Sequence, residues 1–385
     1  MMTTMLEVAK RAGVSKATVS RVLSGNGYTS QETRDRVFQA IEESGYRPNL
    51  LARQLATKNT QTLGLVVTNT LYHGVYFSEL LSHAARLTED RGRQLILADG
   101  KHSAEEERQA IQYLLDSRCD GVIIYPRFLS VEEIDELIEQ HSQPIMVLNR
   151  RLRRHPAHCV YSDQQAAAAA VVERLVGMGH SDIAFITGSA DSPTGMERLA
   201  GYREALSRQD IPVQEALIAP GKWTPACGAA AVSTLLARGV SFTALIASND
   251  DMAIGAIKQL HECGVSVPEQ VSVVGFDDIA LAPYVIPSLA SVKMPVTEMI
   301  QETINRLIAM VEEGEPEALP SFSGQLVRRD SLKRRLEWGR LCAGRAGRDP
   351  LAWAPFAGFA RRIKPHQYMP IKTNQRVQEF RWMTC

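Results

Sequence analysis

Several polar and aromatic residues of this chain are placed where they could bind a small hydroxylated ligand. Asn249 and Asp277 each follow a short apolar run, at Leu245–Ser248 and Val271–Phe276, that is typical of a buried β-strand. In open α/β sheets, ligands bind beyond the carboxyl ends of the strands. Arg, Asn and Asp side chains can hydrogen-bond vicinal hydroxyls, and the ring of Trp223 can stack on a sugar. The candidates for such a cleft are Arg198, Trp223, Asn249 and Asp277. The alternative for Trp223 is a core or lobe-interface residue.

The aspartates near these runs permit two other interpretations. Paired carboxylates among Asp250, Asp251, Asp277 and Asp278 could perform the acid–base chemistry of a glycosidase. However, no glycine-rich phosphate loop, nucleophile elbow or metal-ligand motif accompanies them in the sequence. Aspartates between a strand and a helix are more often helix caps, which is our prediction for Asp250, Asp251 and Asp278. We predict no enzymatic activity, no cofactor and no metal site.

The elements that would position the cleft are apolar runs that alternate with helical segments. Strands are predicted at Leu63–Val67, Leu95–Ala98, Gly121–Tyr125, Ile145–Leu148, Ile183–Thr187, Leu245–Ser248 and Val271–Phe276. Helices are predicted at Ser103–Arg118, Val131–Gln140, Ala166–Met178 and Met252–Cys263. Most of this spacing suits βαβ units on parallel sheets. We expect residues 61–332 to form an α/β body of two doubly wound parallel-sheet lobes.

The N-terminal segment carries a different, all-α pattern. A short helix is predicted from Leu6 to Ala12, with Leu6, Ala9 and Ala12 on its apolar side, and Gly13 ends it. Ser15 can cap a second helix, Lys16–Leu23, whose outer face is basic and carries hydroxyl groups. Two short helices joined by a tight turn are typical of a helix-turn-helix, which places its second helix in the DNA major groove.

A third helix and a hinge complete this segment. The third helix is predicted from its N-cap Ser30 to Ser44, and Gly45 ends it. Pro48 prevents that helix from continuing, and Asn49 can cap a further short helix from Leu50 to Lys58. Because it is shorter than the roughly 12–15 residues that a helix needs in water, we expect it to fold only when packed. The inner stripe of the third helix is predicted to be Val37, Phe38 and Ile41.

The sequence resembles the lac repressor/galactose repressor family of transcriptional regulators over about residues 5–332. The motifs that carry the resemblance are Ala9-x-x-Ala12-Gly13-Val14-Ser15-x-x-Thr18-Val19-Ser20-Arg21-Val22-Leu23, Arg198-Leu199-Ala200-Gly201, Ala247-Ser248-Asn249-Asp250 and Gly275-Phe276-Asp277-Asp278. It implies a periplasmic-binding-protein-like body and a homodimer that represses sugar-utilisation genes from a palindromic operator. It also implies that two hinge helices lie in the minor groove, where Leu55 wedges into a base step. The alternative for Leu55 is packing on Leu51 within its own helix.

The resemblance also implies the binding residues. DNA contacts are implied for Lys16, Ala17, Thr18, Ser20, Arg21, Asn49 and Leu55. Effector contacts are implied for Tyr76, Phe77, Arg150, Arg198, Trp223, Asn249 and Asp277. The segments Leu71–Gly74 and Tyr125–Ser130 resemble regulators of aryl-β-glucoside genes, which implies that effector class. We predict that the sugar releases the protein from DNA.

The charge distribution favours a DNA-binding head on an acidic body. Residues 1–60 carry nine Lys/Arg and five Asp/Glu, whereas residues 61–332 carry 22 and 35. Residues 333–385 carry 12 and three, lack leucine heptads, and are predicted to be a disordered basic tail that could alternatively add non-specific DNA affinity. The predicted domains are 1–47 (helix-turn-helix), 48–60 (hinge helix), 61–332 (effector-binding and dimerisation) and 333–385 (tail).

A rival class is a sugar-binding protein without operator-specific DNA binding, which the body alone would permit. Neither a secretory signal nor an apolar stretch of membrane-spanning length is visible in the sequence. The six cysteines are scattered, without the paired spacing of a disulfide framework or a zinc site. We therefore expect a cytoplasmic protein with no membrane partner.

Overall fold

The computed structural model describes residues 4–24, 28–46, 60–68, 74–312 and 322–335. The predicted hinge helix with Asn49 and Leu55, the segment Leu71–His73, and the chain after Arg335 lie outside the described residues. Predictions that concern them therefore remain predictions.

Three helices form the head: α1 (Met5–Ala12), α2 (Lys16–Ser24) and α3 (Gln31–Ser44). Their ends have the predicted chemistry. The Ser15 hydroxyl accepts a hydrogen bond from the backbone N–H of Thr18 at 3.1 Å, and Ser30 caps α3 in the same manner. Gly13 and Gly45 end α1 and α3 with φ of 66° and 61°, values that suit glycine.

Two predictions of inward-facing residues in the head are wrong. Leu6 is 53% exposed and Phe38 is 52% exposed. Successive helical residues are about 100° apart around the axis, and in α3 the buried face is centred on Val37 and Ala40, which leaves Phe38 at its exposed side. The buried residues of the head are Val8, Ala9, Ala12, Val19, Val22, Val37, Ala40 and Tyr46.

The N-terminal lobe is a parallel sheet in the order β2-β1-β3-β4-β5. Its strands are β1 (Thr62–Val67), β2 (Gln94–Asp99), β3 (Gly121–Tyr125), β4 (Ile145–Leu148) and β5 (Cys159–Val160). Its helices are α4 (Val75–Asp90), α5 (Ala104–Asp116) and α6 (Val131–Gln140). The inner strands are buried on both faces, which explains their continuous apolar runs.

The C-terminal lobe has the strand order β11-β10-β9-β8-β6-β7, with only β11 antiparallel. Its strands are β6 (Ile183–Ile186), β7 (Ile218–Ala219), β8 (Ala244–Ala247), β9 (Ser272–Asp277), β10 (Ala290–Lys293) and β11 (Gln325–Val327). Its helices are α7 (Gln164–Val176), α8 (Pro193–Arg208), α9 (Pro225–Ala237) and α10 (Asp250–Glu262). A last helix, α11 (Val296–Glu312), returns to pack on α4 and β4 of the first lobe.

The two-lobed α/β body is confirmed, and each predicted strand is present within one residue at either end. Four further strands, β5, β7, β10 and β11, were not predicted from the sequence. Two of these strands are only two residues long, which is too short to show a hydrophobic period.

The chain passes between the lobes three times, and two of these connections lie side by side. Ser162 and Phe322 form a parallel bridge. The N–H of Phe322 donates to the carbonyl of Tyr161 at 2.9 Å, and the N–H of Asp163 donates to the carbonyl of Phe322 at 3.1 Å.

The C-terminal lobe extends three residues beyond the predicted boundary at Leu332. The Lys333 N–H donates to the Ser272 hydroxyl at 3.0 Å, and the Arg335 N–H donates to the carbonyl of Met178 at 2.9 Å. In the parts of the chain that the structure describes, no helix is long and apolar enough to cross a membrane. Those parts also hold no group of three or more His, Cys, Asp or Glu side chains that could bind a metal.

Candidate effector-binding site

A cavity of about 550 Å³ lies where the carboxyl ends of the two sheets face each other. Tyr125 ends β3 and Asn149 follows β4 on one side, while Asn249 follows β8 and Asp277 ends β9 on the other. This is the position at which open α/β sheets bind ligands. The predicted site residues that line it are Tyr76, Arg150, Arg198, Trp223, Asn249 and Asp277.

Arg198, on α8, is the most extensively bonded cation of the cavity wall. It is 3% exposed, and its Nε donates to Gln164 Oε1 at 2.9 Å. One terminal nitrogen donates to the carbonyl of Ser248, and the other lies 3.2 Å from Asp277 Oδ1. The guanidinium also lies 4.3 Å from the ring centroid of Phe276. These contacts hold a planar array of donors at the cavity surface.

Asp277 pairs with Arg198 but remains a costly buried charge. Burial raises the pKa of its carboxyl, and the adjacent Arg198 opposes that shift. Its φ is 99°, and Asn149 and Trp223 have φ of 61° and 67°. Non-glycine residues at positive φ cost about 1–3 kcal/mol each and persist where the surroundings impose them, often at ligand sites. Three such residues therefore meet at this cavity.

Asn249 and Trp223 form one connected wall. Asn249 Oδ1 caps α10 by accepting from the N–H of Met252 at 3.0 Å, and Asn249 Nδ2 donates to the carbonyl of Trp223 at 3.0 Å. Trp223 Nε1 donates to the Ser189 hydroxyl at 2.8 Å. A Cβ on Gly188 would lie 2.2 Å from the Trp223 ring, so only glycine permits this ring position.

The opposite wall is aromatic. Tyr76 and Tyr125 meet edge to face with 6.4 Å between ring centroids, and burial raises the pKa of both phenols. Phe77 does not line the cavity: it belongs to the hydrophobic core beneath α4. Adjacent helical residues point in different directions, so the helix that presents Tyr76 turns Phe77 inward.

Sequence reasoning missed a polar network centred on Asn149. Its Nδ2 donates to the Tyr125 hydroxyl at 2.7 Å and contacts Thr194 Oγ1 of the other lobe at 3.3 Å. Its Oδ1 accepts from Gln164 Nε2 and the Ser162 hydroxyl, both at 3.2 Å. Asn149 could have been predicted as a cavity residue from the sequence, because it directly follows a correctly predicted strand.

A second missed feature, the interlobe ion pair, joins Arg127 to Asp191. Arg127 Nη2 lies 2.8 Å from Asp191 Oδ1 and donates to the Ser189 hydroxyl at 2.9 Å. Glu107 positions this loop, since its buried carboxylate accepts from the backbone N–H groups of Arg127, Phe128 and Leu129 at 2.8–3.1 Å. The contact ties one lobe to the other beside the cavity.

The aspartates that could have formed a catalytic pair are dispersed among different partners. Asp250 was predicted to cap α10, but Asn249 has that role. Instead its carboxylate accepts from the Ser291 hydroxyl at 2.6 Å and the Ile279 N–H at 2.9 Å. Asp278 pairs with Arg329 at 2.7 Å. Asp251 and Asp277 are the members of this set that line the cavity.

The second helix of the head presents the predicted outer face. Lys16, Ala17, Ser20 and Arg21 are exposed and Thr18 is half-buried, whereas Val19 and Val22 are buried against α1 and α3. A stable three-helix support with one helix face left open is what major-groove recognition requires.

A helix-turn-helix head joined to two α/β lobes around a ligand cavity defines a ligand-responsive DNA-binding regulator. Residues 4–49 match the model of bacterial regulatory proteins of the lacI family, and residues 172–332 match that of the periplasmic binding protein-like domain. The chain is 71% identical over 331 residues to the HTH-type transcriptional regulator AscG of Escherichia coli K12, covering 86% of this chain and 98% of that protein. The chain belongs to the lacI family of bacterial regulatory proteins.

Solved structures agree with this assignment. The crystal structure of the E. coli transcriptional repressor ascG covers 71% of this chain and 99% of its own, with 66% identity and a TM-score of 0.67. The structure of a lac repressor dimer bound to operator and the anti-inducer ONPF matches 86% of this chain and 99% of its own, with 28% identity and a TM-score of 0.79. The structure of the regulator CelR in complex with cellobiose matches 86% of this chain and 99% of its own, with 31% identity and a TM-score of 0.63.

Proposed function

We propose that this protein is a transcriptional repressor that binds a palindromic operator as a homodimer and leaves it when an aryl-β-glucoside occupies the cavity. The composition of the cavity wall carries the proposal. Arg198 and Asp277 offer the donors and acceptors that sugar hydroxyls need, and Tyr76, Trp223 and Met299 offer apolar surface for an aryl group. The cellobiose complex of CelR supports the β-glucoside class for a relative of this fold.

DNA recognition is assigned to the outer face of α2. Lys16 and Arg21 would contact phosphates and guanine edges, while Ala17, Thr18 and Ser20 lie close to the bases. Asn49 and Leu55 are proposed to act in the hinge, with Leu55 opening a base step in the minor groove. The operator complex of the lac repressor dimer supports the two-headed arrangement.

The effector is proposed to act through the angle between the lobes. A ligand that contacts both lobes binds one interlobe angle more tightly, so it shifts the population toward that angle. In a dimer this changes the separation of the two heads and hence the formation of the hinge helices. A coupling of about 1–3 kcal/mol changes operator affinity roughly 5–150-fold.

The first experiment is fluorescence anisotropy of the full-length protein on DNA selected from a random library. We expect tight, sequence-dependent binding that phenyl β-D-glucoside weakens and D-galactose does not. Arg21→Ala should weaken operator binding by about 1–3 kcal/mol, whereas Lys258→Ala, an exposed change in the body, should have no effect. Binding that is salt-sensitive but indifferent to sequence would instead indicate a sugar-binding protein without operator specificity.

We propose that the glycoside is bound and not hydrolysed. Asp250 and Asp278 are engaged with Ser291 and Arg329. Of the two members of this set that line the cavity, Asp277 is paired with Arg198, so the described contacts leave Asp251 without a second uncommitted aspartate beside it. Incubation with 4-nitrophenyl β-D-glucoside tests this directly. Release of 4-nitrophenol above the rate of an Asp277→Asn variant would show that the cavity catalyses hydrolysis.

A further inference from the structure

Arg150 differs from the other arginines of the cavity wall because the described residues supply no ion-pair partner for it. Arg198 pairs with Asp277, and Arg127 pairs with Asp191. The one hydrogen bond described for Arg150 runs from Nη2 to the carbonyl of Pro126 at 3.2 Å. A guanidinium has five N–H donors, the described residues accept one hydrogen bond from this guanidinium, and Arg150 lines the cavity.

The electrostatic surroundings of Arg150 do not neutralise it locally. Burial lowers its pKa, and the charges of Glu197 and Glu107 oppose that shift from beyond contact distance. The Glu107 carboxylate is occupied by three backbone N–H groups, and burial raises the pKa of Glu197. A partly buried charge without a contacting counter-ion is costly, and a bound anion would offset that cost.

We propose that the ligand of this cavity carries an anionic group, a phosphate ester or a carboxylate, which binds Arg150. This rests on the proposed function, because it takes the ligand to be a glycoside. A planar guanidinium binds either group through two parallel hydrogen bonds. The cavity of about 550 Å³ has room for a substituted aryl glycoside.

Isothermal titration of the full-length protein with four probes tests the proposal. They are phenyl β-D-glucoside, phenyl β-D-glucoside 6-phosphate, phenyl β-D-glucuronide and 4-carboxyphenyl β-D-glucoside. We expect at least one anionic probe to bind about 10–100-fold more tightly than the neutral glucoside, the range given by hydrogen bonds to charged groups. The phosphate and carboxylate probes distinguish the two anion types.

Two variants assign the effect to this side chain. Arg150→Gln should reduce the affinity ratio of anionic to neutral probe to about one, and Arg150→Lys should retain part of it. Arg151→Gln is the matched control, since it makes the same charge change at an exposed neighbour that stacks on Tyr161, and should leave the ratio unchanged. Thermal melting verifies that each variant is folded.

The outcomes separate this inference from the proposed function. If the neutral glucoside binds and releases the operator but no anionic probe binds more tightly, the inference is overturned and the proposed function stands. A preference for anions that survives Arg150→Gln also overturns it, because the anion then binds elsewhere. If no glycoside binds at all, both proposals fail.

Discussion

Arg127 of the N-terminal lobe and Asp191 of the C-terminal lobe form an ion pair beside the cavity, with 2.8 Å between Nη2 and Oδ1. Because it joins the lobes directly, this ion pair exists only over a narrow range of interlobe angles. Its two ends differ in burial: the Arg127 side chain is 8% exposed and that of Asp191 is 53% exposed. The pair therefore contributes a small free energy in favour of the interlobe angle at which it forms.

Breaking this ion pair should weaken ligand binding by a small amount. For Arg127→Gln we expect a loss of about 0.5–1 kcal/mol, or roughly two- to fivefold in the Kd for phenyl β-D-glucoside, since a pair with one largely exposed partner contributes little. Arg108→Gln is the control, because Arg108 pairs with Glu133 within one lobe. If the Asp191→Asn change adds its full effect to Arg127→Gln, the two residues are not coupled.

Loss of Arg198 should uncouple the effector from DNA release. Arg198→Gln removes the charge that faces buried Asp277, and breaking such a buried pair costs about 3–5 kcal/mol. We expect a lower Tm, loss of the glucoside effect on operator anisotropy, and unchanged operator affinity of the folded fraction. Arg203→Gln on the same helix breaks an exposed pair with Glu215 and should change none of these. A variant at residue 198 that still responds to glucoside would contradict the assignment.

Asp250 should make the protein lose stability as the pH rises. Burial, together with the charge of Asp277, raises the pKa of Asp250 well above its usual range. The folded state therefore holds a proton that the unfolded state releases at about pH 4, and stability falls as pH increases from there through the raised folded-state pKa. His180 acts in the opposite sense below about pH 6.5, because burial lowers its pKa.

The comparison of Asp250→Asn with the parent protein isolates this effect. Between pH 5 and 7.5, the Tm of the variant relative to the parent should rise with pH, since the amide has no proton to lose. Asp116→Asn, at an exposed residue, should give a constant difference. Parallel Tm curves for the Asp250 variant and the parent would show that Asp250 is ionised in the folded state throughout this range, which would contradict the raised pKa.

An exposed apolar loop of the C-terminal lobe should contribute to the dimer. Leu281, Tyr284 and Ile286 are 49%, 79% and 93% exposed, an unusual concentration of apolar surface for a monomer. Ile286→Asp should shift the mass measured by light scattering toward the monomer at micromolar concentration. Met196→Asp changes a similarly apolar, 61% exposed position on α8 and should leave the dimer intact. An unchanged mass for Ile286→Asp would place the interface elsewhere.

The sequence predicted the parts of the structure that rest on local patterns. Buried parallel strands such as β3 and β4 are continuous apolar runs, and Asn249 and Asp277 were found because they follow such runs. The interlobe ion pair was beyond prediction, since Arg127 and Asp191 are 64 residues apart and meet only through the angle of two lobes. The cap of α10 shows a second limit. Asn249 was correctly predicted to border the cleft, but the cap of the following helix was predicted to be Asp250 and is Asn249, because capping depends on side-chain geometry.

The end of the C-terminal lobe yields a prediction about truncation. A chain that ends at Leu332 loses the hydrogen bonds of Lys333 to Ser272 and His180, and that of Arg335 to Met178. His180 is buried, so its Nε2 would lose the carbonyl of Lys333 as a partner. Since each of these four bonds contributes about 0.5–1.5 kcal/mol, we expect this chain to be less stable by about 2–6 kcal/mol.

A chain that ends at Arg335 is the matched comparison, because it keeps all of these contacts. It should have the Tm and operator affinity of the full-length protein, measured by calorimetry and by anisotropy. The Leu332 chain should melt several degrees lower. Equal melting temperatures for the two truncated chains would mean that residues 333–335 contribute nothing to the lobe. A loss of operator specificity in the Arg335 chain would assign a DNA-binding role to residues 336–385.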